Sequence, residues 1–284
     1  MTPDLWIILT GILAASACGL IGCFLVLRQN AMLGDAISHA VLPGLVIAFL
    51  VTSSRNVLPM VIGAGVMGIA TAYLSELLSR TGRLYKDAAL GIVFTLLFAI
   101  GVILVSIFTG QIDLDQECVL YGEIAYTPWD TFTLNGQSIG PRAVWILGGA
   151  FLINLIFIGL FYKQLKISSF DPRMAKAIGV SERVWHYALM TVVSLTVVAA
   201  FESVGAILVV AMLIIPGATA YLLTSRLIVM LALSVLVGII CAVGGFFAAS
   251  YFDASIAGFM AVVGGIVFVL AAFGAKLARR FARA

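Results

Sequence analysis

The sequence predicts an all-α, polytopic membrane protein of about nine transmembrane helices, and three observations carry that prediction. First, 63% of the 284 residues are hydrophobic and only 10% are charged, too few charges to cover a soluble domain of this size. Second, the mean hydropathy is +1.18. Third, apolar runs recur from end to end, each long enough to cross ~30 Å of hydrocarbon at ~1.5 Å per residue. These runs are continuous, unlike the ~10-residue alternating segments of a membrane barrel. The 28 glycines suit close packing of membrane helices.

Taken in order, the spans are predicted over 5–27, 33–52, 57–78, 88–109, 143–161, 184–201, 203–223, 227–249 and 255–275. The first follows "MTPD", which carries Asp4 where a signal peptide would have a basic stretch, so it reads as a span and not a cleaved leader. The second carries ionisable residues and Pro43. The third and fourth flank the basic turn with Arg80, Arg83 and Lys86, and the fifth follows a long polar loop at 110–142. The sixth and seventh are the weakest division, because "VVAAFESVGAILVV" offers little polar turn. An eight-span chain with a partly re-entrant segment there stays open. The eighth follows Arg226, and the ninth precedes the basic tail "KLARRFARA". No linker or repeat divides the chain, so 1–284 reads as one membrane domain.

Lys and Arg set the orientation. With the N-terminus outside and the C-terminus in the cytoplasm, 14 of the 16 basic residues face inward, leaving Arg55 and Arg142 outside. The loop at 110–142 then lies outside and is acidic, with Asp113, Asp115, Glu117, Glu123 and Asp130. Its acidity serves solvation, docking or attraction of cations. Of four cysteines, Cys18, Cys23 and Cys241 lie in apolar runs and Cys118 in a loop, so neither disulfide nor zinc-knuckle spacing occurs.

Within "LGDAISHAVLPG", Asp35 and His39 stand four apart and share one helix face. Charged groups in hydrocarbon cost roughly 2.5–3.5 kcal/mol each, so something must compensate for them. Counted along a helix from Arg28 at the inner boundary, His39 lies ~16 Å deep, close to midplane. Pro43 lacks the N–H that would bond the His39 carbonyl. A carboxylate, an imidazole and a freed carbonyl suit divalent ions such as manganese, iron(II) and zinc. A helix-holding polar pair, a wet helix start and a proton relay fit the same two residues.

Two further stretches stand out. In "FESVGAILVVAMLIIPGATAYLL", Glu202 is the one acidic residue between Glu182 and Asp253, and Pro216 withdraws the partner of the Met212 carbonyl as Pro43 does for His39. Glu202 is either interfacial or a ligand; joining His39 would need the seventh span to bend inward. In "SSFDPRMAKAIGVSE", Asp171 suits an N-cap, Pro172 the first helical position and Gly179 the helix stop. These predict a short, rigid cytoplasmic helix over 171–179, comprising Asp171, Pro172, Arg173, Met174, Ala175, Lys176, Ala177, Ile178 and Gly179. It reads as an ordinary loop helix or as a lever offered to a partner.

Together "AMLGDAISHAVLPGLVIAF", "SFDPRMAKAIGV" and "ESVGAILVVAMLIIPGATAYLL" resemble the permease family of ABC transporters for zinc, manganese and iron. The resemblance spans nearly the whole chain. It implies a large-permease (type II) ABC importer fold in a bacterial inner or plasma membrane. It implies two permease subunits, alike or different, two cytoplasmic ATPases and an extracytoplasmic metal-binding protein. It implies Asp35 and His39, and less strongly Glu202, as residues of the metal path, with 171–179 as the helix that couples to the ATPase. Metal would be cargo, not a resident cofactor. No GxxxxGK[ST] loop occurs, so the chain is expected to be a transport subunit and not an enzyme. A proton-coupled carrier or channel for metal ions is the alternative in another class. An intramembrane metalloenzyme is disfavoured, since it would need something like HExxH: His39 is followed by Ala-Val-Leu-Pro, and the other histidine, His186, reads as interfacial. Nothing suggests nucleic acid; the surroundings are lipid.

Overall fold

The computed structural model describes residues 2–52, 57–82, 84–108, 124–134 and 137–281. Among these residues nine helices are long and apolar enough to cross a membrane, in agreement with the nine-span expectation. The chain folds as two compact units, each built from separated stretches of sequence.

One unit comprises residues 1–31, 117–170 and 200–284. It contains α1 (Pro3–Leu27), a short hairpin β1 (Thr131–Leu134) and β2 (Gln137–Pro141), α6 (Arg142–Leu160), α7 (Tyr162–Phe170), α10 (Ala206–Leu223), α11 (Leu227–Phe252) and α12 (Ile256–Phe281). Helix α1 is its spine and packs on α6, α10 and α11. Most of the C-terminal two thirds of α1 is buried, from Ala14 to Leu25. Small residues let backbones meet there, which is how helices gain contact when lipid removes the hydrophobic drive. A Cβ at Gly22 would overlap the Leu213 carbonyl, and one at Gly217 would lie 3.0 Å from the Cys23 nitrogen. Buried Asn154 adds a polar tie, its Nδ2 donating to the Ala17 carbonyl at 3.1 Å. Arg28 closes the end of α1 onto α7, donating to Ser168 Oγ at 2.8 Å and Ser169 Oγ at 3.0 Å.

The other unit comprises residues 32–116 and 171–199. It contains α2 (Leu33–Ala40), α3 (Leu42–Thr52), α4 (Val57–Gly82), α5 (Lys86–Phe108), α8 (Pro172–Ala177) and most of α9 (Glu182–Val204). Helices α2 and α3 both pack on α4 and α5, over a core that includes Ala40, Val93 and Leu97. Gly68 of α4 fits between Ile37 of α2 and Ser194 of α9, so one glycine seats three helices.

Four details differ from the sequence expectation. The predicted second span is two helices parted at Val41, which keeps α-helical angles. A hairpin occupies part of the 110–142 loop, and an extra helix, α7, precedes the short loop helix. Helix α9 runs on to Val204, and the turn into α10 is made by Gly205 at φ +81°, a conformation that glycine adopts without a Cβ clash. The predicted break at Pro216 is not seen: α10 continues through it. The acidic residues Asp113, Asp115, Glu117 and Glu123, with Cys118, Arg55, Arg83 and Arg283, lie outside the described residues.

Candidate functional site

Helix α2 displays Asp35 and His39 one turn apart, with Oδ1 and Nε2 separated by 3.6 Å. Their side chains are 37% and 34% exposed, while Leu33, Gly34, Ala36, Ile37, Ser38 and Ala40 around them are buried. The helix therefore has one accessible stripe, and that stripe is its ionisable one. The separation exceeds a normal hydrogen bond. Two donors of one small divalent ion, each ~2.1 Å from it, stand roughly 3.0–3.5 Å apart, close to what is observed.

Two phenylalanines on α5 flank the imidazole, Phe94 at 5.9 Å between ring centroids and Phe98 edge-on at 6.0 Å. They limit how the ring can turn. Pro43, at the start of α3, lies against α5, where a Cβ at Gly101 would come within 2.8 Å of the proline Cδ. The interruption at Val41 follows from this proline, which cannot donate to the His39 carbonyl. Among the described residues no group of three or more His, Cys, Asp and Glu side chains is arranged to hold a metal. Asp35 and His39 are two candidate donors here, one carboxylate and one imidazole.

Glu202 lies in the last turn of α9, but its side chain is outside the described residues. It belongs to the first unit, whereas Asp35 and His39 belong to the second. Pro216 is buried in unbroken α10.

The 171–179 stretch forms as its sequence requires. Asp171 Oδ1 accepts from the Met174 N–H at 2.9 Å, and Pro172 takes the first helical position. At the other end Gly179 has φ +81°, its N–H reaching the Lys176 carbonyl while that of Val180 reaches Ala175 at 2.8 Å. This paired closure is a Schellman stop. Ala175 alone of α8 is buried; Met174 and Ile178 stand exposed beside Arg173 and Lys176.

Sequence reasoning missed a second polar group in the same unit. Glu76 of α4 pairs with Arg80, and its Oε2 lies 3.9 Å from His186 Nε2 on α9. No sequence signal links α4 to α9; only the fold brings them together. The flanking phenylalanines were likewise silent, since one aromatic pair among 18 phenylalanines says nothing about its neighbours.

Residues 5–275 match the model of the ABC 3 transport family. The chain is 52% identical to the manganese transport system membrane protein MntD of Bacillus subtilis, over 95% of this chain and 92% of that one. It is 41% identical to the zinc transport system membrane protein TroD of Treponema pallidum, covering 93% and 72% respectively. Among solved structures it resembles PsaBC from Streptococcus pneumoniae in complex with Fab, with a TM-score of 0.78 and 32% identity over 95% of this chain and 91% of that one. Nine spans, the ionisable stripe on α2 and matches over nearly the whole length agree: the chain belongs to the ABC 3 transport family and is a multi-pass permease of the metal-ion ABC transporter kind.

Proposed function

We propose that this permease carries manganese(II) inward through the membrane, with Asp35 and His39 as transient ligands and ATP hydrolysis supplied by a separate cytoplasmic subunit. The observation that carries the reading is the 3.6 Å carboxylate–imidazole pair on the accessible stripe of a helix interrupted beside it. A cation between these groups offsets the cost of keeping them in the membrane. Manganese is chosen over zinc and iron because the donors include a hard carboxylate and no thiolate, and because the 52%-identical relative is named for manganese.

In this reading a second permease subunit, identical or related, brings further donors to the path. An extracytoplasmic binding protein delivers the ion from the side that holds the N-terminus. Helix α8 docks on the ATPase through exposed Met174 and Ile178, with Arg173 and Lys176 at its edges. It belongs to the same compact unit as Asp35 and His39, so a push on α8 has a packed body through which to act. Two ligands per subunit hold the ion loosely enough to release it. Glu202 is an auxiliary carboxylate of the path in this scheme. Nothing in the described residues favours the proton-coupled alternative.

The test is uptake by the permease reconstituted with its ATPase and binding protein, with manganese, zinc and iron(II) in competition. His39→Ala or Asp35→Ala should abolish uptake while insertion and ATPase binding persist, and Glu202→Gln should lower it less. Full uptake in either of the first two variants overturns the site.

A further inference from the structure

We propose that Glu76 and His186 form a second, weaker divalent-cation site, at the opposite end of α4 from its Val57 start, where the transported ion pauses before release. The proposal rests on the metal-transport reading above and adds a site to it.

Three observations carry it. Glu76 Oε2 is buried and lacks a close hydrogen bond from the described residues, with the Tyr187 phenol within reach of the carboxylate. An ordinary imidazolium–carboxylate pair would close to roughly 2.7–2.9 Å. Here His186 Nε2 stays 3.9 Å from that oxygen, a few tenths of an ångström beyond the span of two ligands on one ion. The donor pair and spacing repeat those of Asp35 and His39, at 3.6 Å, within the same compact unit.

The surroundings fit a ligand that has been aimed. Arg80 holds the other oxygen, Oε1, and so fixes the carboxylate plane, as outer partners do for metal-binding carboxylates. The Tyr187 phenol approaches the same carboxylate, and Tyr73 packs on the Tyr187 ring at 6.2 Å. The guanidinium has a second effect: its charge opposes that of a bound cation and weakens the site relative to the outer pair. A weak site near the end of a path favours departure. Two protein ligands leave the remaining coordination positions to water, as hard divalent ions accept.

The chain has only two histidines, which makes the test direct. Full-length permease without a histidine tag, labelled with nitrogen-15 histidine and held in lipid nanodiscs, is titrated with manganese(II). Pulsed electron paramagnetic resonance then reads manganese–nitrogen coupling. In the Asp35→Asn/His39→Gln variant, coupling should persist but need about tenfold more metal than in the wild type. Adding either His186→Gln or Glu76→Gln should erase it. Glu76→Asp, which keeps the carboxylate, serves if the amide variant does not fold. Absence of coupling in a folded Asp35→Asn/His39→Gln variant, at metal concentrations that saturate the wild type about a hundredfold over, overturns the inner site. Wild-type coupling unchanged by His39→Gln instead overturns the outer assignment and leaves His186 as the ligand. No coupling in the wild type overturns both.

Discussion

Pro43 and Pro216 make the same demand on the backbone and receive different answers. Each withdraws the N–H that would meet a carbonyl four residues earlier, and each is buried. Just before Pro43 the chain divides into α2 and α3; at Pro216, α10 continues unbroken. The difference lies in what surrounds them. Gly217 and Gly22 bring α10 and α1 into backbone contact, Gly19 lies against the Pro216 ring, and the Thr219 hydroxyl donates to the Ile215 carbonyl at 2.7 Å. These contacts hold α10 against α1 on both sides of the proline. Around Pro43 the chain is also held closely, by Gly101 of α5 against the proline ring and by Gly44 against the Gly63 carbonyl of α4, but one side of α2 is accessible and polar. Proline therefore permits a break, and here the break opens beside the accessible, polar side of the helix.

The largest effect should come from filling the tight contact. Gly22→Leu places a side chain where the Leu213 carbonyl sits, and overpacking of this kind costs 1–3 kcal/mol or more. Folded, monodisperse protein should be nearly lost in fluorescence-detected size exclusion; normal yield would show that α1 and α10 can separate. Next, Pro43→Ala restores a donor for the His39 carbonyl and should close the break. Metal uptake is then expected to fall about tenfold with insertion unchanged, the scale seen when groups that support metal ligands are removed. Smaller again is Phe98→Ala, which frees one side of the imidazole. An aromatic contact is worth ~0.5–1.5 kcal/mol, so the half-saturating metal concentration should rise about threefold. Pro216→Ala should leave uptake within about twofold, because the helix there is already continuous.

Such contrasts explain what the letters alone could reveal. The spans follow from runs of apolar residues, which the bilayer thickness imposes locally. The caps of α8 follow from Asp171, Pro172 and Gly179, whose demands act within a few bonds. The α2 stripe follows from helical periodicity. Local rules fail for Pro216, whose outcome is set by glycines two hundred residues away in α1. They fail equally for the meeting of Glu76 with His186 and of His39 with Phe94 and Phe98, which are contacts between helices. The hairpin Thr131–Pro141 was hidden for another reason: strands of four and five residues carry too little pattern to be recognised.

Ala175 is the sole residue of α8 whose side chain the fold encloses. Its small size anchors the helix while its neighbours on that segment owe the interior nothing. Those outward letters can therefore change without undoing the helix, so long as the three punctuation residues and the one alanine are kept.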